Sequence, residues 1–253
     1  MNDWFAHKII GLPEMDSVNG KAIDDLIVYV HWLMLVLLVG WTIYFFYALW
    51  RFNAARNPKA DYEGSKSHLP KYTEIGVVLV EAILLLGVAL PLWAKNVQQF
   101  PEEKDATVIN IMAQQFAWNA LYPPKEGLGR RDMKLISNDN IFGLDTTDAK
   151  NKGIVQVLNE IHVPVNKPVL IYLSSKDVIH SFKLLAMRIT QDAIPGLRIP
   201  CTFTPTKEGR YQIECAQLCG NGHAAMAGGF IVVQSQADFD KWLKSKGPAQ
   251  SFE

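Results

Sequence analysis

The sequence predicts a two-helix transmembrane hairpin followed by an all-β domain of barrel or sandwich type. Three observations carry that expectation. Apolar residues crowd the first hundred of the 253 positions; the remainder breaks into short apolar-rich runs separated by turn residues; and a segment rich in metal-ligand residues sits between two of those runs. The predicted division is a membrane part over 1–95 and a soluble part over 96–253. With 25 basic and 25 acidic residues the charge is balanced and gives no sign of a nucleic-acid partner. Three cysteines do not make a disulfide framework; Cys201, beside Pro200, is expected to be a buried thiol without a role.

Residues 1–25 lack the basic start, short apolar core and small-residue cleavage site of a secretory signal, and carry more acid (Asp3, Glu14, Asp16, Asp24, Asp25) than base (Lys8, Lys21). Positions 26–50 are almost wholly apolar and aromatic, enough to cross a bilayer core of roughly 30 Å. A polar connection follows in which Arg51, Arg56, Lys59, Lys66 and Lys71 outnumber Asp61 and Glu63, punctuated by Asn57-Pro58 and Gly64. The second span is expected from about Glu74 to Ala94. The positive-inside rule puts the basic loop in the cytoplasm, so the N-terminus and everything after Lys95 lie on the outer side of the bilayer. Two carboxylates interrupt the second span, Glu74 at its start and Glu81 one heptad later on nearly the same face. An ionisable group in a span faces another helix or a watery path. A lone hairpin gives Glu81 little shelter, which implies a partner membrane subunit.

Beyond Asn96 the runs 107–112, 154–158, 168–173, 180–184, 210–215 and 228–233 read as strands of a sandwich or barrel. Between Pro123 and Lys152 lies a long polar excursion, read as a surface loop with no assignable chemistry. The tail from Ala237 begins with a short amphipathic helix containing Phe239, Trp242 and Leu243.

The ligand-rich segment is Cys215-Ala216-Gln217-Leu218-Cys219-Gly220-Asn221-Gly222-His223-Ala224-Ala225-Met226. Steps of four, four and three would also suit one helix face, but Gly220 and Gly222 argue for a loop joining two strands. Two thiolates, an imidazole and a thioether are too soft for magnesium or calcium, and the thioether points to copper. Taken alone, the segment is equally open to a Cys215–Cys219 disulfide, a structural zinc site or simple packing.

The hairpin, then Asp177-Val178-Ile179-His180-Ser181-Phe182, then Asp192-Ala193-Ile194-Pro195-Gly196, then the metal loop, resemble in this order subunit II of the haem-copper oxygen reductases. The resemblance implies a cupredoxin-like barrel holding a binuclear copper centre, CuA, with two copper ions bridged by Cys215 and Cys219. His180 and His223 would be the imidazole ligands, Met226 the thioether and Gln217 the backbone-carbonyl ligand. It further implies an electron-entry subunit of a respiratory terminal oxidase. Electrons would pass from a cytochrome c or a membrane-bound cytochrome complex to haem in subunit I, where oxygen is reduced to water and protons are pumped. Other oxidase subunits and the lipid bilayer complete the partners. The implied location is a respiratory membrane of bacterial plasma-membrane type, with the soluble domain outermost. Glu74 matches the family's acidic entrance to a proton channel, counted back from Ala89-Leu90-Pro91. Phe116, Trp118 and Asp177 correspond to donor-docking and electron-entry positions, and Asp192 to an acid near the subunit boundary.

Three departures stand out. Gln217 replaces the glutamate that binds magnesium in many members, and a neutral amide is a poorer ligand for a hard cation, which puts a magnesium site in doubt. Phe116 stands where the family has its electron-entry tryptophan, which favours a donor held by a neighbouring membrane complex over a freely docking cytochrome. The arginine that commonly follows Pro-Gly is displaced by one position, to Arg198. A CuA subunit of a nitric-oxide-reducing relative and a membrane-tethered copper carrier are the alternatives. A quinol-oxidising subunit II would lack the copper ligands.

Overall fold

A computed structural model of the chain describes residues 4–59, 62–64, 66–124 and 126–247. Asp3, Asp61 and the polar end of the tail, included in the sequence reading, lie outside the described residues. The chain divides into two compact units. One comprises Met1–Leu12 with Ala22–Lys95, the other Pro13–Lys21 with Asn96–Glu253.

The first unit holds two long helices, α1 (Gly20–Arg51, 32 residues) and α2 (Leu69–Gln98, 30 residues), both long and apolar enough to cross a membrane. At 1.5 Å per residue each reaches about 45 Å, well beyond a hydrocarbon core of roughly 30 Å. Both begin several residues before the apolar runs that reveal them, because a helix persists through flanking polar residues once nucleated. A wide π-type stretch, Ile83–Ala89, interrupts α2 just ahead of Leu90-Pro91. Proline removes a backbone donor, and the wider turns fit the altered ladder. Near the N-terminus Phe5 stacks on Trp32 with centroids 4.5 Å apart, and Phe5, Ala6 and Val28 form a small buried cluster.

The second unit is a ten-stranded sandwich: β1 (Thr107–Gln114), β2 (Ala117–Tyr122), β3 (Val155–Leu158), β4 (Glu160–Pro164), β5 (Val169–Ser175), β6 (His180–Leu184), β7 (Ile189–Ala193), β8 (Ile199–Phe203), β9 (Gly209–Cys215) and β10 (Gly229–Gln234). Two five-stranded sheets run β3-β2-β1-β5-β8 and β4-β10-β9-β6-β7. The inward-facing residues include Ile109, Ile111, Trp118, Ile171, Phe182, Ile213 and Ile231, all essentially without exposed surface. Helix α3 (Gln236–Lys246) closes one edge, its Trp242 stacked on His162 at 4.0 Å.

Four strands are absent from the sequence reading: β2, β4, β7 and β8. Each is five or six residues long, and all four carry proline, asparagine or charge within them, so tertiary pairing rather than local pattern makes them strands. The 123–152 excursion is also more than a surface loop. Phe142 and Leu144 are buried with Met112, Leu121 and Ile154 on the outer face of the first sheet, forming a second core. Arg130 and Asp145 form an ion pair beneath it. Cys201 is a buried free thiol, its pKa pushed up to about 12 by burial.

The segment Pro13–Lys21 belongs to the sandwich unit. The Asp16 N–H donates to Ala186 O at 2.8 Å, Thr206 N–H to Asp16 O at 2.8 Å and Val18 N–H to Thr204 O at 3.0 Å. The buried Ser17 hydroxyl donates to Met187 O, and Lys207 pairs with Glu14 at 3.0 Å.

Candidate metal centre

Three loops at one end of the sandwich converge. The β1–β2 hairpin turns on Gln115 and Phe116, since Gln114 pairs with Ala117. β1 runs parallel to β5, with Ala113 beside Ser175, which brings the Asp177–Ile179 turn next to that hairpin. β6 pairs with β9 so that Phe182 lies opposite Cys215, the residue that starts the loop leading to β10. Ligands distant in sequence are therefore neighbours because strand register leaves no other place for them.

A ring nitrogen of His180 and the Sγ atoms of Cys215 and Cys219 lie within 4.8 Å of one another. The two sulfurs are 3.9 Å apart and both cysteines are free, so no disulfide joins them. His223 Nδ1 is 3.4 Å from Cys219 Sγ, and Gln217 O is 3.1 Å from Cys215 Sγ. Met226 is buried within the 3-10 segment His223–Gly228. The alternative of one helix face is overturned: Cys215 ends β9 and the segment from Ala216 to Gly222 is irregular, in keeping with Gly220 and Gly222. Gly220 has φ +130°, and a Cβ on Gly222 would strike the Phe116 ring.

His180 has no exposed surface. Its Nε2 meets Asp177 Oδ1 at 2.9 Å, while Nδ1 is buried with no hydrogen-bond partner. A buried polar atom without a partner is costly, and a metal ion would satisfy it. Burial, then the neighbouring Cys215 thiol, pushes the Cys219 pKa up to about 11. A cation bound there would take the place of the Cys219 proton. Soft sulfur donors, imidazole nitrogen and a carbonyl, assembled with a partnerless nitrogen, fit copper and do not fit a hard cation.

Two residues around the ligands turn inward. Trp118, read as part of an aromatic stretch beneath a docking surface, has no exposure at all. Its indole N–H donates to Met226 O at 3.0 Å, and its ring meets Phe182 edge-on at 5.4 Å and His180 at 6.2 Å. Apolar neighbours and a reachable carbonyl draw the indole inward. Asp177, expected to face a donor, directs both oxygens at its own chain: Oδ1 meets His180 and accepts from the Val178 N–H, while Oδ2 accepts from the Gln115 N–H. Burial alone would raise its pKa; the Gln115 N–H, His180 and the Val178 N–H outweigh that and hold the carboxyl below its usual range.

Phe116 is half-buried, its ring against Gly220 and Gly222 of the ligand loop. Asp192 is exposed on β7, opposite Ser181 and next to Ala193, the cross-strand partner of His180. Glu74 lies exposed in the second turn of α2 and Glu81 is exposed farther along it. Arg198 lies over the Tyr172 ring at 3.2 Å and near Glu103 at 3.7 Å. Gln115, whose side-chain amide donates to Cys219 O at 2.7 Å, was not singled out in the sequence. Its only sequence signal is its place beside Phe116 at the hairpin tip.

The family profile described as the periplasmic domain of cytochrome c oxidase subunit II matches residues 107–236. The alternative cytochrome c oxidase subunit 2 of Bradyrhizobium diazoefficiens is 30% identical over 233 residues, covering 91% of this chain and 82% of that protein. Cytochrome c oxidase subunit 2 of Cereibacter sphaeroides is 28% identical over 258 residues, covering 94% and 82%. Among solved structures, the periplasmic domain of subunit II of the Bradyrhizobium japonicum cytochrome oxidase is 27% identical. It covers 58% of this chain and 96% of that one at a TM-score of 0.43.

Proposed function

Because this chain belongs to the cytochrome c oxidase subunit II family and so is a subunit of that membrane-bound electron-transport complex, we propose that it is the complex's electron-entry subunit and holds a binuclear CuA centre. Cys215 and Cys219 would bridge the two coppers. His180 through Nδ1, His223, Met226 and the Gln217 carbonyl would complete the set. The observation that carries the reading is a buried His180 with a partnerless Nδ1 and one ring nitrogen within 4.8 Å of two free thiols.

The copper pair, when bound, supplies a one-electron store whose charge change is spread over two metals. The chain's own residues prepare for that task. Asp177 holds the His180 tautomer by occupying Nε2, which leaves Nδ1 as the ligating atom. The rigid strands β6 and β9 fix the ligand-bearing ends, so little can move when charge changes. Trp118 and Phe182 close the inner side against water. Phe116 covers the loop from the side of the hairpin tip, where an incoming electron would enter; its phenyl ring offers contact area without an indole donor. This suits a cytochrome donor held close by a neighbouring membrane complex better than one docking freely.

The output partner would be haem in subunit I. Glu74 would serve at a proton entrance on the cytoplasmic side, with the basic connection 52–68 inside and the β domain outside. Asp192 would lie near the boundary with subunit I. Gln217 leaves a magnesium site at that boundary without its carboxylate.

The test is the purified complex containing this chain. Two coppers per chain, with a mixed-valence paramagnetic spectrum in which one unpaired electron is shared by both, is the expected result. A single blue copper, a zinc ion or a Cys215–Cys219 disulfide overturns the reading. Subunit assays should retain Pro13–Lys21, because a fragment starting at Asn96 lacks the partners of Ala186, Thr204 and Thr206.

A further inference from the structure

We infer that Gln115 is a positioning residue of the metal centre, tying the His180-bearing turn to the thiolate loop; this rests on the copper reading above. Its two donors run in different directions. The backbone N–H donates to Asp177 Oδ2 at 2.7 Å, and Asp177 Oδ1 in turn holds His180 Nε2 at 2.9 Å. The side-chain Nε2 donates to Cys219 O at 2.7 Å. One residue on a third loop thus connects a ligand imidazole, through one carboxylate, to the peptide of a bridging cysteine. Those ligands lie 39 positions apart in sequence (180 to 219); the β6–β9 pairing brings their strands together, and Gln115 adds a link between the two loops beyond that pairing.

The two bonds act differently on the site. The backbone bond survives any substitution at 115 that leaves the hairpin intact. The side-chain bond fixes the plane of the Cys219–Gly220 peptide, and through it the direction of the Cys219 Cβ–Sγ bond. Gly220 has φ +130°, a conformation with few neighbours to enforce it, and the Gln115 amide lies 2.8 Å from where a Cβ on Gly220 would stand. The amide therefore seats the loop by both a hydrogen bond and close contact. The same bond offsets the negative end of the Cys219 carbonyl dipole, which faces the centre's surroundings. Without it, the local potential becomes more negative and the oxidised centre is favoured. Phe116 follows directly, so the loop position set by Gln115 is also the surface on which the Phe116 ring rests.

Gln115 is exposed on a hairpin tip, and its substitution leaves the core untouched. In the complete oxidase, Gln115→Leu removes the donor, and Gln115→Glu keeps the shape while replacing the donor with a carboxylate. Expected are a fall in the reduction potential, larger for Glu than for Leu, a changed copper hyperfine pattern, and copper release to a chelator about tenfold faster, the loss expected for one hydrogen bond. Gln115→Met, which keeps the length without the donor, follows Leu and substitutes for Gln115→Glu if that variant does not assemble. Variants with wild-type potential, hyperfine pattern and release rate overturn the inference while leaving the copper reading intact. If the wild-type complex lacks a two-copper centre, the copper reading fails first and is seen to fail independently.

Discussion

In the β domain Trp118, Phe182 and Phe203 have no exposed surface, whereas in helix α1 Trp41, Phe46 and Leu38 are 66%, 62% and 65% exposed. Both regions are rich in large apolar side chains, but only one gathers them into a core of its own. At about 25 cal/mol per Å² the β domain gains its stability from that burial within a single chain. The helices leave theirs uncovered and must be matched by lipid and other subunits. The difference separates a folded site-bearing module from a pair of helices that completes its packing only in an assembly. The candidate metal residues lie on the module that has its own core, and Glu74 lies exposed on one of the helices.

The comparison would be broken most completely at the ligand loop. Cys215→Ser removes from a half-buried position one of the two sulfurs that the proposed centre would share, so copper content is expected to fall below two per chain and the mixed-valence signal to be lost, while the β-sheet circular dichroism is retained. Loss of the sheet signal would mean that the site holds the fold together rather than being held by it.

Next in size is Trp118→Ala. Emptying the indole's place should cost about 3–5 kcal/mol in denaturant unfolding of the β unit, and Trp118→Phe should cost less, losing mainly the bond to Met226 O. A cost below about 1 kcal/mol for the alanine variant would show that this domain does not depend on its own core.

Turning to the hairpin, Glu74→Gln is expected to slow turnover and proton delivery severalfold and to leave the copper spectrum unchanged. A spectral change would end the division of roles between the two regions.

The smallest effect concerns the excursion. The Thr147 hydroxyl, then the Arg130 guanidinium, hold the Asp145 carboxyl at about 2 against an ordinary 3.8. The folded-state value is depressed, so the carboxylate's contribution is present above pH 3.8 and is lost as pH falls toward 2. Amide hydrogen exchange of residues 130–151 should accelerate over that window ahead of the strands, and Asp145→Asn should remove the pH dependence.

Much of this organisation was legible before any coordinates. Long apolar runs betrayed α1 and α2, the second despite Glu74 and Glu81, because a span must be largely apolar on all sides. The β6 strand showed as a short apolar-rich run, β9 through its polar/apolar alternation and β10 as a buried apolar run opened by glycines. Strands β7 and β8 did not, since Gln191, Asp192 and Pro200 carry no strand signal and owe their conformation to pairing with β6 and β5. The buried faces of Phe142 and Leu144 were hidden for a similar reason: they cover the outer side of β1 and β2, a surface that exists only after the sheet forms. That Trp118 and Asp177 both turn inward was not legible, because a residue type near a site does not reveal which way its side chain turns.

Ligand chemistry was fixed by residue identity, for thiols, imidazoles and a thioether carry their preference for soft metals wherever they are placed. The membrane character of the first hundred positions was fixed likewise, as hydrophobicity is additive along a helix. What tertiary structure alone decided is the relation between parts. It placed His180 beside the cysteines, turned Asp177 inward to choose its tautomer, buried Trp118, and set Gln115 between two ligand loops. Those outcomes depend on strand register and on which groups remain unpaired after packing, and neither is a property of any local stretch of chain.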